Sequence, residues 1–134
     1  MPGASRAGRE AVLGAKPCYR GLRPVSIDAF HTDDLIARLA QGQHDFAEFF
    51  RADKLSLTIA AWPAGAADDQ QPHAEDEVYY VVRGRAKLRV GGESVLVQPG
   101  SVVHVPAGTV HQFVDIEADL SVVVFWSPPR ARPT

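Results

Sequence analysis

Apolar and polar residues alternate with a period of two from about residue 54 onward, which is typical of half-buried β-strands. The clearest stretches are 55–60 and 85–90, where one face is aliphatic and the other is polar or basic. Glycine and proline interrupt the pattern every several residues, so each apolar run is too short for a buried helix. The pattern predicts seven or eight short strands, covering residues 55–60, 78–82, 85–90, 95–97, 102–105, 111–116 and 120–126.

One segment before these strands has the period of a helix. Residues 32–41 present an apolar face, Thr32 is a suitable N-cap, and acidic residues follow it, where the helix dipole favours anions. Gly42 is expected to end this helix. The phenylalanines of residues 46–50 fit either a helical face or a strand. The chain is therefore predicted to be all-β, as a small barrel or jelly roll, with one short N-terminal helix.

The length of 134 residues indicates a single domain with one core. Residues 1–22 are rich in Gly, Ala, Arg and Pro without periodicity, and we expect a mobile arm there. Residues 23–127 would form the barrel with its preceding helix 32–41. Residues 128–134 form a proline-rich tail that cannot join a sheet centrally.

Charge and composition exclude several classes of protein. The formal net charge of −2 gives no basic surface for nucleic acid, and no apolar run approaches the roughly 20 residues that span a membrane. The N-terminal residues lack the apolar stretch of a signal peptide. Cys18 is the only cysteine, so the chain has neither an internal disulfide nor a thiolate metal cluster. We therefore expect a cytoplasmic protein.

Two segments combine turn residues with side chains that bind metals. Each places histidine or glutamate next to a predicted strand, and the two segments are separated by one hairpin. Their residues are Gly65, Gln71, His73, Glu77 and Gly84 in the first segment, and Gly100, Pro106, Gly108, His111 and Asp115 in the second.

These two segments resemble the two motifs of the cupin superfamily, with Gln71 at the position of the family's first histidine and Asp115 at that of an asparagine. The resemblance covers about residues 54–127. It implies a double-stranded β-helix, the jelly-roll barrel of cupins, and a metal site inside it. It also implies a homodimer, because cupins commonly pair through a barrel face or swapped strands.

By this resemblance the metal ligands are Gln71, His73, Glu77 and His111, and the metal is one divalent transition ion. On a straight strand His73 and Glu77 would lie roughly 13 Å apart, so the chain is expected to bend between them. The amide of Gln71 is a weaker ligand than imidazole. Without it, two histidines and a carboxylate remain, a set that suits Fe(II) and equally Zn²⁺, Mn²⁺, Ni²⁺ or Co²⁺.

Acid–base chemistry would fall to Glu77, Tyr79 or Glu75. Tyr79 has the strand parity of Glu77 and should face inward, with Tyr80 facing out. Phe113, together with Phe125 or Trp126, would line an apolar pocket. Two further expectations are that Glu75 faces solvent at the bend, and that Asp115 faces inward, as a structural residue or as a partner of His111.

The resulting hypothesis is a metal-binding cupin that acts on a small organic molecule, as an oxygenase, isomerase or cyclase. A non-catalytic cupin that binds a small ligand is the first alternative. The second is an interaction protein that uses the barrel as a dimer scaffold. No segment resembles a helix-turn-helix, which disfavours a DNA-binding regulator.

Overall fold

A computed structural model of the chain describes residues 27–132. The predicted arm over residues 1–22 therefore lies outside the described residues. Residues 27–30 are the described part of the unit Met1–Phe30 and contain neither helix nor strand. The unit His31–Thr134 holds all the described elements, and these confirm the all-β class. They are α1 (Thr32–Gln41), β1 (Phe46–Arg51), β2 (Ser56–Trp62), β3 (Asp76–Val90), β4 (Glu93–Val97), β5 (Val102–Val105) and β6 (His111–Ser127).

The strands form one antiparallel sheet in the order β1-β2-β6-β3-β4, and β5 pairs with β3 outside this path. The ambiguous phenylalanine segment is a strand, because Phe46 and the residues after it pair with β2. The Gly91-Gly92 hairpin turn is confirmed, since Val90 lies opposite Glu93 across it. Of the residues described, none forms a helix with the length and apolar character that crossing a membrane requires.

The two longest strands were each predicted as two shorter ones. β3 continues through Gly84, which bends the strand where a turn was expected, and β6 joins the segments 111–116 and 120–126. Gly84 has a φ of +95°, and a Cβ there would collide with the carbonyl oxygen of Asp119. Only glycine fits this close approach without strain. Around this point, between Val81 and Lys87, the register between β3 and β6 shifts three times in all.

These irregularities curl the sheet strongly. Val90 lies opposite His111, and on a flat strand it would be about 40 Å from Glu77 at the usual rise per residue. Yet Nε2 of His111 lies 3.0 Å from Oε2 of Glu77. The curl therefore brings the two ends of β3 to one place inside the fold. Bulges increase the local twist of a strand, which accounts for the curvature.

Helix α1 packs on the outer face of the sheet. It begins at Thr32, with His31 rather than Thr32 at the N-cap, and Gly42 caps its end as predicted. Leu35 and Leu39 bury their side chains against Ile59 of β2 and Val123 of β6 in a small outer core. The main core lies on the inner face and includes Tyr79, Val81, Leu88, Val105, Phe113, Leu120, Val122 and Trp126.

Candidate metal centre

The two motif segments are joined directly by hydrogen bonds that backbone N–H groups of the second donate to the first. Gly108 N donates to the carbonyl oxygen of His73 at 2.6 Å, and Ala107 N donates to Oδ1 of Asp76 at 2.9 Å. Gly108 has a φ of +75°, a conformation that favours glycine. The turn before β6 is thereby fixed against the loop before β3. His73 lies in that loop, and the chain bends at residues 74–75, as expected.

Three of the predicted ligands converge on one point. Oε2 of Glu77 lies 3.0 Å from Nε2 of His111 and 3.9 Å from Nε2 of His73. One ligand atom from each residue lies within 4.8 Å of the other two, so this cluster can hold a metal ion. Glu77 and His111 are each 1% exposed, whereas the His73 side chain is 12% exposed. Of these three side chains, His73 is therefore the one that a molecule from solvent can reach.

The ring of His111 is oriented by the backbone. Its Nδ1 lies 2.8 Å from the carbonyl oxygen of Thr109, which can only accept, so Nδ1 carries the proton. In the neutral ring Nε2 then has a free lone pair directed at the cluster. Burial alone would lower the pKa of His111, but the contacts to Glu77 and to the Thr109 carbonyl outweigh it and the pKa is raised.

The pKa of His73 is shifted in the opposite direction. Burial lowers it, and the charge of Glu77 offsets this only in part, while Arg130 lowers it further. The rings of His73 and His111 lie edge to face with their centroids 5.3 Å apart. At neutral pH His73 is therefore the more readily available neutral ligand of the two.

A fourth possible ligand atom, the amide oxygen of Gln70, reaches the cluster. This oxygen, Oε1, lies 3.1 Å from Nε2 of His111 and 3.4 Å from Nε2 of His73. The amide Nε2 of Gln70 donates to Oδ2 of Asp68 at 2.6 Å. Because a carboxylate can only accept this bond, the amide nitrogen must point to Asp68 and the oxygen to the histidines. Gln70 thus offers a neutral oxygen ligand in a fixed orientation.

Gln71, the predicted ligand, lies outside the cluster. Its side chain is exposed, and its Nε2 donates to the backbone oxygen of Asp69 at 3.2 Å. The reason is the turn at Asp68, whose Oδ1 accepts a hydrogen bond from the backbone N–H of Gln70. Asp68 Oδ2 also accepts from Phe113 N at 2.9 Å, which anchors this turn to β6.

Sequence reasoning missed Asp68 and Gln70. An Asp two residues before a polar side chain is a known signal for a local turn, and it was available in the sequence. The hydrogen bond from Phe113 N to Asp68 joins segments that are far apart in the sequence, so no local sequence pattern predicts it.

The aromatic residues around the cluster follow the predicted strand parity. Tyr79 is 1% exposed, whereas Tyr80 is 39% exposed and faces out. The hydroxyl of Tyr79 lies 3.3 Å from Oε1 of Gln70 and donates to it. Trp126 is buried with its ring 5.0 Å from that of His73, whereas Phe125 is largely exposed. Burial and the nearby Glu77 charge raise the pKa of Tyr79, which therefore stays protonated.

Two acidic residues do not lie where they were expected. Glu75 is buried rather than solvent-facing, and its Oε2 accepts a hydrogen bond from Ala131 N at 2.7 Å. Burial would raise the pKa of Glu75, but the backbone bonds and the charge of Arg130 lower it below the usual range. Asp115 is exposed, with a φ of 50° that interrupts the strand alternation, and its Oδ2 lies 3.6 Å from Lys87 Nζ. The partner of the His111 ring is Thr109, not Asp115.

The donor set fits a divalent cation. Gln70 Oε1 and Glu77 Oε2 are acceptors, and each histidine turns a ring nitrogen toward them. The second carboxylate oxygen, Glu77 Oε1, is buried and accepts no hydrogen bond from the described part of the chain. Such an orphaned buried acceptor is costly without a cation or donor to compensate it. Nitrogen and oxygen ligands of this kind suit the borderline transition metals.

Comparisons with known proteins place the chain in a family. The cupin domain model matches residues 58–128. SCO3923, an uncharacterized protein of Streptomyces coelicolor, is 47% identical over 103 residues, which cover 77% of this chain and 98% of the relative. The solved structure of KdgF from Halomonas sp. is 27% identical, covers 63% of this chain and 80% of its own, and has a TM-score of 0.58.

A more distant structure, BH2720 from Bacillus halodurans, superposes over a larger part of the chain. It is 20% identical, covers 84% of this chain and 87% of its own, and has a TM-score of 0.64. This likeness, with the six antiparallel strands found within residues 31–132, confirms the predicted jelly-roll class. The chain therefore belongs to the cupin family.

Proposed function

We propose that this cupin binds one divalent transition metal (Fe, Zn, Mn, Ni or Co) through His73, Glu77, His111 and the amide oxygen of Gln70. We further propose that it acts on a small organic molecule, as an oxygenase, isomerase or cyclase. The observation that carries the proposal is the convergence of these four groups around Glu77, whose Oε1 accepts no hydrogen bond from residues 27–132. The family membership supports it, because cupins commonly bind a metal.

Gln70 takes the ligand position that the motif spacing assigned to Gln71. An amide oxygen is neutral, so Glu77 supplies the only negative charge among the four proposed ligands. When bound, the metal supplies Lewis acidity, or one-electron chemistry if it is iron. The carbonyl of Thr109 keeps the His111 lone pair directed inward, and Asp68 does the same for the Gln70 oxygen.

Of the three predicted acid–base residues, Tyr79 fits a proton-holding role best. Its hydroxyl is buried beside Gln70 Oε1 and its raised pKa keeps the proton there. Glu77 Oε1 is an acceptor that no described residue engages, and it can take a hydrogen bond from a ligand molecule. Glu75 is engaged with Ala131 and its lowered pKa makes it a poor base. We therefore propose that Glu75 holds the tail in place rather than moving protons.

A non-catalytic cupin that binds a small ligand is the second candidate. The observation that favours it is the depth of the site, since Glu77, Tyr79 and His111 are each 1% exposed. A structural or binding role needs the metal but no path for turnover. Metal content without conversion of any member of a panel of small organic acids and sugars would favour this candidate.

Elemental analysis of the purified chain tests the metal centre. We expect about one equivalent of a transition metal in the wild type, and loss of it in His73→Ala, Glu77→Gln and His111→Ala. The matched control is His104→Ala, because the His104 side chain is 58% exposed and lies near Asp76, outside the cluster. Equal metal content in all variants would refute the site, and the element found selects between oxygen chemistry and isomerising chemistry.

We also propose a homodimer in the cytoplasm. A patch on the outer face, formed by Tyr80, Val102 and Phe125, exposes apolar side chains on three paired strands. Exposed apolar patches of this kind are typical of interfaces. Light scattering during gel filtration is expected to give twice the chain mass. Val102→Lys should shift the mass toward the monomer, whereas Glu93→Lys, in the turn-proximal part of β4, should not.

A further inference from the structure

We propose that Arg130 binds a carboxylate of the molecule on which the metal centre acts, so that the substrate class is a small organic anion. The inference rests on the proposed function, because it assumes that the substrate lies at the cluster of His73, Glu77 and His111. It concerns a residue outside both cupin motifs, in the tail that follows β6.

The tail lies at the same end of the sheet as His73. Ser127, the last residue of β6, is opposite Asp76, the first residue of β3. The next residues continue past the bend that precedes β3, where Ala131 N donates to Glu75 Oε2 at 2.7 Å. The proline-rich tail therefore lies beside the His73 side of the cluster.

Arg130 is held in place by its backbone and by Trp126. Its N donates to Ser56 Oγ at 2.8 Å, and its carbonyl accepts from Arg51 Nη1 at 3.0 Å. Its guanidinium carbon lies 5.1 Å from the centre of the Trp126 ring, within the range of a cation–π contact. Trp126 in turn is fixed by a buried hydrogen bond from its Nε1 to Thr58 Oγ1 at 3.0 Å.

The same tryptophan contacts the metal centre. The Trp126 and His73 rings lie edge to face at 5.0 Å, so one aromatic side chain contacts both the guanidinium and His73. The side chain of Arg130 is 39% exposed and can be reached by a ligand.

The guanidinium is only partly neutralised by the protein. Its Nη1 lies 3.6 Å from Glu75 Oε2, which is too long for a hydrogen bond, and that oxygen already accepts from Ala131 N. Within residues 27–132, the Arg130 side chain donates one hydrogen bond, from Nη1 to the carbonyl oxygen of Ala131, at the long distance of 3.4 Å. The other donors remain for a second partner. A planar guanidinium with free adjacent donors matches a carboxylate in a two-point bond.

Arg132 provides an internal contrast on the same tail. Its Nη2 lies 2.6 Å from Glu48 Oε2, and this carboxylate also pairs with Arg51. The charge of Arg132 is thus satisfied on the sheet edge formed by β1. A variant of Arg132 therefore removes the same charge from the tail without removing the group that we assign to the substrate.

Fluorescence of Trp126 tests the inference. The chain has two tryptophans, so Trp62→Phe leaves Trp126 as the only one, in contact with both His73 and Arg130. In this background the zinc-loaded and the metal-free protein are titrated with acetate, pyruvate and oxalate, and with the matched neutral amides acetamide, pyruvamide and oxamide. The variants are Arg130→Gln, Arg130→Lys and Arg132→Gln.

We expect carboxylates to bind the wild-type chain more tightly than their amides do. Arg130→Gln should weaken the tightest of them by about tenfold or more, Arg130→Lys by less, and Arg132→Gln by under about twofold. Zinc content should match the wild type in all three variants. Thermal unfolding should match it in Arg130→Lys and Arg132→Gln, whereas Arg130→Gln should unfold at a somewhat lower temperature, because it removes the charge beside buried Glu75. Equal carboxylate affinity in Arg130→Gln and Arg132→Gln would overturn the inference.

The same experiment separates the inference from the proposed function. If the wild-type chain holds no transition metal, the proposed function fails, and the metal-free titration still decides whether Arg130 binds carboxylates. If the metal is bound but carboxylates and amides bind alike, or Arg130→Gln has no effect, the role of Arg130 fails and the metal centre stands.

Discussion

The two halves of the candidate centre are built differently. The strand half consists of His111, the first residue of β6, whose ring is fixed by the carbonyl of Thr109 two residues earlier. The loop half consists of Asp68–Glu77, in which irregular backbone precedes β3 and Asp68 orients Gln70. The strand half depends on the turn at Gly108 and on the first residues of β6. The loop half depends on a network that runs to Phe113, on the other motif.

The contrast shows which ligand positions are set by the backbone and which depend on hydrogen bonds between side chains. In the strand half, the position of the ligand follows from strand parity and the Gly108 turn. In the loop half, side-chain hydrogen bonds decide which of two neighbouring glutamines faces the cluster. We therefore expect metal binding to weaken when the ligand of the strand half is removed. In the loop half, we expect metal binding to weaken also when a residue that is not a ligand is changed.

The largest expected effect is the removal of the strand ligand. His111→Ala should weaken zinc binding by more than about 100-fold, because it deletes a buried nitrogen ligand and leaves Glu77 unpaired. Competition with a chromophoric chelator measures the dissociation constant. His104→Ala should bind zinc as the wild type does, and an affinity for His111→Ala within threefold of that value would remove this residue from the ligand set.

A matched pair tests the loop half. Gln70→Ala should weaken zinc binding by about 30-fold, whereas Gln71→Ala should change it by less than twofold, since only Gln70 directs its oxygen at the histidines. The chelator competition applies here too. The opposite ranking would restore the assignment of Gln71 that the motif spacing suggests.

Changing the orienting group should have a smaller effect. Asp68→Asn should weaken zinc binding by about tenfold, because the amide keeps a single acceptor oxygen. That oxygen cannot accept from Gln70 Nε2 and Phe113 N, as Asp68 Oδ2 does, and also from the backbone N–H of Gln70, as Asp68 Oδ1 does. Asp69→Asn is the control, since its side chain orients no residue of the cluster among those described. Loss of affinity in Asp69→Asn equal to that in Asp68→Asn would indicate a general charge effect.

The smallest effect is a difference in titration between the two histidines of the metal-free protein. His111 should titrate above the ordinary histidine pKa and His73 below it. The raised pKa of His111 stabilises the fold at low pH, and this contribution is lost as pH rises through that pKa. The lowered pKa of His73 has the opposite sign, so stability rises as pH passes upward through the unfolded value near 6.5.

Ring proton resonances followed by NMR measure both values, and His73→Gln and His111→Gln assign them. Free energies of unfolding across pH give the matching changes in stability. If the two histidines titrate in the reverse order, the local charges described for the cluster are not those of the protein in solution.

Much of this architecture could be predicted from the sequence. Local signals were sufficient for α1, for the hairpin at Gly91-Gly92, and for the inward direction of Tyr79. The spacing around His73 and His111 was sufficient to bring those residues together with Glu77. These features depend on residues near one another in sequence or on strand parity.

The remaining features depend on contacts between distant segments. The continuity of β3 through Gly84 is set by the approach of Asp119, which no local pattern encodes. The burial of Glu75 is set by the tail, through Ala131. The choice of Gln70 over Gln71 depends on Asp68 and on its bond to β6. Each of these requires the tertiary structure, because the partner lies tens of residues away.

The proposed metal centre is tested most directly by a crystal structure of the zinc-loaded protein with anomalous diffraction data at the zinc edge. We expect one anomalous peak, which lies about 2.0–2.2 Å from each of four atoms: His73 Nε2, Glu77 Oε2, His111 Nε2 and Gln70 Oε1. A peak that excludes Glu77 and His111, or the absence of any peak inside the sheet at full zinc loading, would contradict the proposed metal centre.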